Sequence, residues 1–309
     1  MDREALLRAS GMKILLLGKN GQVGWELQRS LVPLGQVLAL DSKSQDYCGD
    51  LNDLQGLAAT VQRFAPDVIV NAAAYTAVDK AESEPAQALR VNAEAPAVLA
   101  AEALKLNALL VHYSTDYVFA GTGDTPWLES DPVGPLSVYG STKLQGEQAI
   151  QASGCAHLIL RTSWVYAARG NNFAKTMLRL ASERDSLNVI DDQFGTPTGA
   201  DLLADITAHA IRTLGVNPQL SGVYHLAAAG ETTWHRYARF VLEQAQAAGV
   251  QLKVEPANVG AITTAAYPTP AKRPGNSRLN TQKLQNAFSL RLPQWQDGVA
   301  RMLVEILEK

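Results

Sequence analysis

The chain has 309 residues, of which 47% are hydrophobic and 18% are charged. This length corresponds to about two domains or one large one. The composition excludes a disordered chain, which would combine low hydrophobicity with high charge. With 27 basic and 30 acidic residues the net charge is −3. There is no basic excess to neutralise a phosphate backbone, so nucleic acid is not expected as a partner.

The sequence was next searched for membrane spans, secretory signals and cysteine patterns. No apolar run approaches the roughly 20 residues of a membrane span, and residues 1–11 lack the apolar centre of a secretory signal. Cys48 and Cys155 match neither a disulfide framework nor a metal-binding spacing. We therefore expect a cytoplasmic protein without a membrane partner. Residues 1–11 precede the first predicted strand and are expected to be a disordered extension.

The first half of the chain alternates short apolar runs with longer segments of helical spacing. Continuously apolar runs are typical of strands buried on both faces of a parallel sheet. The predicted strands are 13–17, 37–40, 67–70, 108–111 (extended by a segment over 111–119) and 157–160; the predicted helices are 22–34, 54–64, 86–106 and 138–151. This alternation predicts an α/β fold with a doubly wound parallel sheet of the Rossmann type.

After residue 165 the strand and helix patterns alternate less regularly. Helical patterns cover 172–183, 200–214, 233–247 and 294–307, and strand patterns cover 187–190 and 223–227. We expect residues 12–165 to form mainly a dinucleotide-binding domain. Residues 166–309 are expected to form mainly a smaller C-terminal substrate-binding lobe, with some segments returning to the first domain.

A glycine motif follows the first predicted strand and opens the first predicted helix. Its GxxGxxG spacing allows a tight turn and brings a pyrophosphate close to the backbone and the helix N-terminus. The strand before it and the amphipathic helix after it supply the context that such a motif needs. The predicted phosphate-binding residues are Gly18, Asn20, Gly21, Gln22, Val23 and Gly24.

The ends of the next two strands complete a predicted nicotinamide dinucleotide site. Asp41 ends the second strand, where an acid accepts hydrogen bonds from the adenosine ribose and favours NADH, unless it is only a turn residue. Lys43 instead suits the 2′-phosphate of NADPH, so the choice between NADH and NADPH stays open. Further predicted cofactor contacts are Asp50 and Leu51 beside the adenine, and Ala72, Ala73 and Ala74 after the third strand.

Tyr139 and Lys143 form a YxxxK pair in a predicted helix. Residues at i and i+4 share one helix face, so both can point at one ligand. A nearby ammonium can lower a tyrosine pKa from about 10 towards 7, which requires about 4 kcal/mol. Tyr139 is thus a candidate proton donor, and Lys143 also suits the ribose hydroxyls of a nicotinamide. Ser114 and Thr115, at the end of the fourth strand, either hold a substrate oxygen or cap the strand.

Other polar residues carry weaker signals. His112 and His225 lie in apolar runs and are predicted to be core histidines. The chain has no HExxH or cysteine cluster for zinc, no GxSxG turn of a serine hydrolase and no GK[ST] phosphate-loop ending.

Together these motifs resemble the extended short-chain dehydrogenase/reductases, which act on nucleotide sugars. Finer motifs look like those of the dTDP-4-dehydrorhamnose reductase branch, and the resemblance runs from Met12 to near the C-terminus. These finer motifs are residues 18–24, 113–119, 161–166, 192–198 and 273–280.

The resemblance implies reduction of the C4 ketone of dTDP-4-dehydro-L-rhamnose to dTDP-L-rhamnose, with NADPH or NADH as the hydride donor. It implies that Tyr139 is the proton donor, Lys143 its electrostatic partner and ribose anchor, and Thr115 the hydroxyl that tunes the pair. The implied substrate contacts are Thr115, Asp116, Trp164 and Arg273. The alternative for Trp164 is a purely structural role in the core. The alternative for Arg273 is a surface salt bridge.

Some members of this family form dimers around Mg²⁺ held by acids. Glu26, Asp201 and Glu305 occupy the matching positions, so the resemblance implies a homodimer and a magnesium site. Asp201 stands where the family pattern has Glu, which shortens its reach, and acids on helix faces are usually just solvated.

Three alternatives stay open. A nucleotide-sugar epimerase or dehydratase would keep NAD bound, although the Thr115-Asp116 pair lacks the Asp-Glu typical of dehydratases. A non-catalytic regulatory subunit, like that of methionine adenosyltransferase, would share the fold and bind NADP but would not need Tyr139 and Lys143. A related reductase would act on another 4-keto sugar, because pocket shape decides the stereochemistry at C4.

Overall fold

A computed structural model describes residues 11–308, so the predicted extension over residues 1–11 lies outside the described residues except for Gly11. The centre of the fold is a six-stranded parallel sheet in the order β2-β1-β3-β4-β5-β10. Its strands are β1 (Met12–Leu17), β2 (Gly35–Leu40), β3 (Val68–Asn71), β4 (Leu109–Thr115), β5 (His157–Thr162) and β10 (Gly222–His225). The predicted doubly wound sheet is confirmed. Its strand order reverses beside β1, where sheets of this class bind ligands.

Helices cover both faces of the sheet. Successive strand residues point to opposite sides, and because the strands are apolar throughout, both faces must be buried. Ile14 and Leu16 of β1 belong to one core cluster, and Leu15 and Leu17 belong to the other. The helices of the first half are α1 (Gln22–Leu31), α2 (Leu54–Phe64), α3 (Val78–Ala81), α4 (Pro85–Leu89), α5 (Ala95–Leu106) and α6 (Val138–Ser153), with a π-helical turn (Arg90–Glu94) joining α4 to α5.

The second half adds helices and short strand pairs. Its helices are α7 (Phe173–Glu183), α8 (Ala200–Val216), α9 (Trp234–Ala247), α10 (Gln282–Phe288) and α11 (Trp295–Leu307). The strand pairs are β6 (Val165–Tyr166) with β9 (Thr198–Gly199), β7 (Asn188–Ile190) with β12 (Gly260–Ile262), and β8 (Phe194–Gly195) with β11 (Thr232–Thr233). Helix α8 packs with α1 in the core of the main sheet, to which β10 also belongs. The division at residue 165 stays a prediction.

The structure corrects one predicted element and adds others. The segment over 111–119 is not one strand: β4 ends at Thr115, and a 3₁₀ helix (Asp116–Val118) follows. The turn begins there because the Thr115 hydroxyl accepts a hydrogen bond from the Tyr117 N–H at 3.2 Å. The strand pattern over 187–190 corresponds to β7, but helix α10, β12 and the strands of two residues were not predicted, because such short elements show no periodicity. No helix within residues 11–308 has the length and apolar character to span a bilayer.

Candidate active site

The glycine motif forms a close contact between β1, α1 and β3. A Cβ on Gly24 would lie 2.0 Å from the Gly18 carbonyl oxygen, and one on Gly18, which has φ of +88°, would lie 2.8 Å from the Ala73 nitrogen. Gly21 begins α1 with no side chain capping its first N–H groups. The turn therefore presents free backbone donors and the positive end of a helix dipole, which suits a pyrophosphate.

Asp41 lies beside this turn, at the end of β2. Its carboxylate accepts hydrogen bonds from the Lys43 N–H and the Ser44 hydroxyl, both at 3.0 Å, and from the Asn20 side chain. Burial raises the pKa of Asp41, but the hydrogen bonds from the Lys43 N–H and Ser44, together with the charges of Lys19 and Lys43, outweigh burial, so the net pKa is below the usual value. The acid is ionised and fixed, with the Lys43 side chain exposed next to it.

The remaining predicted cofactor residues line the same edge to different degrees. Ala72, Ala73 and Ala74 are partly exposed after β3. The Asp50 carboxylate accepts from the Asn52 backbone and side chain at 3.0 and 2.9 Å. Leu51 is buried in the hydrophobic core, so only its backbone is available to an adenine.

Tyr139 is placed by the start of α6. Ser137 caps this helix by accepting from the Gly140 N–H at 3.2 Å. Gly140 itself packs against the Tyr117 carbonyl, where a Cβ would approach to 2.3 Å. The first turn of α6 is thus pressed onto the end of β4, and the Thr115 hydroxyl shares a hydrogen bond with the Tyr139 phenol. The structure brings Thr115 and Tyr139 together as predicted.

The phenol of Tyr139 is held in its protonated form. Burial raises the pKa of Tyr139, its hydrogen bond with Thr115 lowers it, and the nearby Asp116 and Tyr117 raise it, so that the net pKa is above the ordinary value. Burial also raises the pKa of Asp116 to about 6, although the Ser277 and Thr115 hydroxyls favour its ionised form. Thr115 donates to Asp116 Oδ1 at 3.1 Å, so the three side chains form one hydrogen-bonded group at the sheet edge.

Lys143 lies one turn after Tyr139 but is directed into the sheet. Its Nζ is 2.6 Å from the Tyr113 carbonyl oxygen and 3.0 Å from His112 Nε2. Burial lowers its pKa to about 8, with Glu147 acting in the opposite direction. The expected lowering of the Tyr139 pKa by Lys143 is therefore not what this arrangement produces.

The two remaining substrate candidates are Arg273 and Trp164. Arg273 bonds Asp79 at 2.7 Å and the Tyr117 hydroxyl at 3.5 Å, and the Tyr117 ring packs edge-on against Tyr139. Arg273 is therefore both in an ion pair and in contact with the site. Trp164 has φ of +47° and stacks on Trp234 with ring centroids 3.6 Å apart.

Two of the three acids of the implied magnesium site, Glu26 and Asp201, bond arginines. Glu26 pairs with Arg29 at 3.5 Å, and Asp201 accepts from Arg301 at 3.4 Å. Across residues 11–308, no group of three or more His, Cys, Asp or Glu side chains could hold a metal ion. Glu26, Asp201 and Glu305 therefore do not fit a metal within a single chain.

A buried ion pair was missed from the sequence. Glu147, on α6, accepts two hydrogen bonds from Arg161 Nε at 2.9 and 3.2 Å and one from Nη2 at 2.6 Å. Their side chains are 0% and 5% exposed. Glu147 lies on α6 and Arg161 on β5, so no local spacing in the sequence indicated the pair. His112 was correctly predicted to be buried, but its contact with Lys143 was not foreseen.

Comparisons with known proteins agree with these features. The family described as RmlD substrate binding domain matches residues 12–308. A dTDP-4-dehydrorhamnose reductase of Shigella flexneri is 61% identical over 295 residues, covering 96% of this chain and 98% of the relative.

Solved structures give the same result. A dTDP-4-dehydrorhamnose reductase from Clostridium acetobutylicum ATCC 824 is 33% identical with a TM-score of 0.85, covering 96% of this chain and 100% of that one. Another, from Bacillus anthracis str. Ames in complex with NADP, is 31% identical with a TM-score of 0.84, covering 96% and 99%. The family predicted from the motifs is confirmed: this chain belongs to the dTDP-4-dehydrorhamnose reductases.

Proposed function

We propose that this protein reduces the C4 ketone of dTDP-4-dehydro-L-rhamnose to dTDP-L-rhamnose, using NADPH or NADH. The observation that carries the proposal is 61% identity, over nearly the whole chain, to a relative named for this reaction. The hydrogen-bonded group of Thr115, Asp116 and Tyr139 at the carboxyl edge of the sheet supplies the chemistry that the reaction needs.

The turn after β1 fits the dinucleotide. Gly21 leaves room for a phosphate close to the backbone, because the nearest atom to an added Cβ would be the Gly18 carbonyl oxygen at 3.4 Å. Asp41 would hold the adenosine ribose, and Lys43 would meet a 2′-phosphate. When bound, the reduced nicotinamide supplies the hydride for C4.

Tyr139 supplies the proton. Its raised pKa keeps the phenol protonated at neutral pH, so the proton is available as O4 of the sugar gains negative charge. The Thr115 hydroxyl can bond the same oxygen and then stabilise the phenolate that remains. Because Asp116 and Tyr117 disfavour that phenolate, Tyr139 regains a proton readily before the next turnover.

Substrate recognition uses the groups around this centre. Asp116 would bond a sugar hydroxyl, and Trp164, which stacks on Trp234, would offer a flat apolar face to the substrate. Arg273 would bind the diphosphate in competition with Asp79, its present partner.

The same proposal includes a homodimer in the cytoplasm. The reducing compartment is supported by the two free cysteines, Cys48 and Cys155. Since Glu26, Asp201 and Glu305 do not form a metal-binding group within residues 11–308, a magnesium ion there would require acids from a second copy. Size-exclusion chromatography with Mg²⁺ and with EDTA tests this: an unchanged elution volume would remove the metal from the proposal.

The reaction is tested by following the loss of reduced-nicotinamide absorbance with enzymatically generated substrate, running NADPH and NADH in parallel. We expect consumption of the cofactor and formation of dTDP-rhamnose. Stoichiometric NAD in the purified protein, without net consumption, would instead identify an epimerase or dehydratase. If the reduced cofactor is consumed only with a different 4-keto sugar, that sugar is the substrate.

The role of Tyr139 is tested separately. Tyr139→Phe should lower kcat by roughly 10²- to 10⁴-fold, because the proton donor is lost, while the Kd for NADPH stays unchanged. Tyr224→Phe is a matched control, since it also removes one tyrosine hydroxyl, here bonded to the Leu220 carbonyl outside the site. Full activity of Tyr139→Phe would show that another group delivers the proton.

A further inference from the structure

Trp164 lies at the same edge of the sheet as the hydrogen-bonded group of Thr115, Asp116 and Tyr139. Thr162, the last residue of β5, pairs with Thr115, the last residue of β4. Trp164 follows two residues later, and its side chain is half-buried. A partly exposed aromatic ring at the carboxyl edge of a parallel sheet lies where ligands of such folds bind.

The backbone of Trp164 adopts a conformation that bulky residues rarely take. Its φ is +47°, in the left-handed region. The Trp164 carbonyl accepts a hydrogen bond from the Thr198 N–H at 3.2 Å, where β6 begins to pair with β9. A strained conformation of this kind costs free energy and persists only where its surroundings fix it. The neighbours of the Trp164 indole are therefore part of what maintains this geometry.

Trp234 and Gly195 hold the Trp164 ring. The two indoles stack with ring centroids 3.6 Å apart and 17° between the ring planes. Gly195 lies against the Trp164 indole, since a Cβ on Gly195 would be 2.6 Å from Trp164 Cε2. Within residues 11–308 the Trp164 indole N–H has no hydrogen-bond partner. Stacking and close packing, rather than a hydrogen bond, therefore fix the ring.

The pairing of two short strands explains why Trp234 meets Gln193. Strands β8 and β11 are antiparallel, with Phe194 opposite Thr233. Gln193 precedes β8 and Trp234 follows β11, so the next position in the register brings their side chains together. The Trp234 indole N–H donates to Gln193 Oε1 at 3.2 Å.

Gln193 holds Trp234 in a single orientation of its amide. An indole N–H can only donate, so the Gln193 oxygen faces Trp234, and Nε2 donates to Thr264 Oγ1 at 3.1 Å. The Thr264 hydroxyl can accept this bond because it gives its own proton to Asp192 Oδ1 at 2.6 Å. Gln193 is only 3% exposed. Since Phe173 also packs on Trp234, with ring centroids 4.6 Å apart, Trp234 is fixed before any ligand binds.

We propose that Trp234 and Gln193 are positioning residues, which hold the Trp164 indole as a rigid wall against which the sugar ring of a nucleotide-sugar substrate packs. The C–H groups of a sugar ring form an apolar face that suits an indole, whereas its hydroxyls suit Asp116. Because the wall is fixed in advance, substrate binding does not have to order it. A fixed wall also limits how the sugar can turn, so it bears on which face of C4 receives the hydride.

The inference rests on the proposed function for the identity of the sugar, but not for the stacking of the two indoles. Far-ultraviolet circular dichroism of the full chain tests the stacking, because indoles in van der Waals contact couple electronically and give two bands of opposite sign. We expect these bands in the unsubstituted protein and their loss in Trp234→Phe. Gln193→Met keeps both indoles but removes the bond to Trp234, so the bands should weaken.

Trp295→Phe is the matched control, because Trp295 lies in the same core cluster but packs on Tyr237 and Phe240. It should leave the two bands unchanged. Absence of the bands from the unsubstituted protein would overturn the proposal, and this result does not depend on whether any variant folds.

Binding measurements test the role of the wall. Calorimetric titration gives the Kd for dTDP-rhamnose, which carries the sugar, and for dTDP, which does not. Trp234→Phe and Gln193→Met should weaken dTDP-rhamnose binding roughly 3- to 10-fold, the contribution of one aromatic pair. The Kd values for dTDP and NADPH should not change, and Trp295→Phe should change none of the three. An equal loss for dTDP and dTDP-rhamnose, or no loss for either, would contradict the positioning role.

The proposed function and the positioning role fail in different ways. If the chain does not act on this sugar, the unsubstituted protein will bind dTDP-rhamnose no more tightly than dTDP. If only the positioning role is wrong, the unsubstituted protein will prefer dTDP-rhamnose, and Trp234→Phe and Gln193→Met will keep the whole of that preference.

Discussion

Alanine at two glycines of the phosphate-binding turn should separate the folding of that turn from its function. A Cβ at Gly24 would lie 2.0 Å from the Gly18 carbonyl oxygen and 2.7 Å from its carbon, whereas a Cβ at Gly21 would lie 3.4 Å from the same oxygen. Gly21 has φ of −71°, which alanine adopts without strain. Gly24→Ala therefore forces β1 and α1 apart, and Gly21→Ala changes only the surface that a phosphate would meet.

The sizes of the two effects follow from these distances. Gly24→Ala requires a shift of about 1 Å between the turn and the helix, and overpacking of this kind costs roughly 1–3 kcal/mol of unfolding free energy. In Gly21→Ala the N-cap of the helix becomes poorer, but the entropy of the unfolded chain also falls. The two effects offset each other, so the unfolding free energy should change by no more than about 0.5 kcal/mol. Losing one backbone bond to a charged phosphate costs about 1.5–3 kcal/mol, or about 10- to 150-fold in NADPH affinity.

Urea unfolding gives the stability of each variant, and titration with NADPH gives its Kd. Gly24→Ala should lose both stability and affinity, and Gly21→Ala should lose affinity alone. If Gly24→Ala unfolds at the same urea concentration as the parent, the close contact with Gly18 is wrong. If Gly21→Ala binds NADPH with the parent Kd, the turn does not hold the pyrophosphate.

Three further predictions concern charge. Glu147→Ala should cost about 3–5 kcal/mol in urea unfolding, because it leaves the Arg161 guanidinium buried without its partner; a loss below about 1 kcal/mol would show that water reaches the site. Asp116 has a raised folded-state pKa of about 6, so its contribution to stability is complete below about pH 4 and is lost as the pH rises through 6. Asp116→Asn should therefore stabilise the protein at pH 7.5, by up to about 3 kcal/mol, and give no gain at pH 4; equal effects at both pH values would refute the assigned pKa. Lys43→Ala should weaken NADPH binding more than NADH binding, and Asp41→Asn should do the reverse; unchanged ratios of the two Kd values would remove both assignments.

The fold was predictable because buried parallel strands and amphipathic helices leave strong periodic patterns. The runs at 13–17, 67–70 and 157–160 fall within β1, within one residue of β3 and within β5. The strands β8, β9 and β11 have two residues each and could not be recognised, because pairing across the fold defines them rather than local sequence. The error at residues 111–119 has a different cause. The fourth strand was predicted to continue to residue 119, but the Thr115 hydroxyl accepts a hydrogen bond from the Tyr117 N–H and a 3₁₀ helix begins there.

For the candidate site, the sequence predicted which strand end and which helix face carry the polar residues. Thr115 and Tyr139 meet because the end of β4 and the first turn of α6 are in contact through Gly140. The partner of Arg273 was not predictable, since Asp79 is distant in sequence and only the folded chain brings the two within 2.7 Å.

For Lys143, the sequence spacing predicts the helix face but not the contacts of the side-chain nitrogen. The i, i+4 relation to Tyr139 places both residues on one face of α6, but a lysine side chain has four rotatable bonds, and its nitrogen can reach several partners from one backbone position. Here the partners lie in β4, where the Tyr113 carbonyl and His112 take the nitrogen into the sheet. The spacing of residue types thus predicts the helix face, and the contacts with β4 determine where the nitrogen lies.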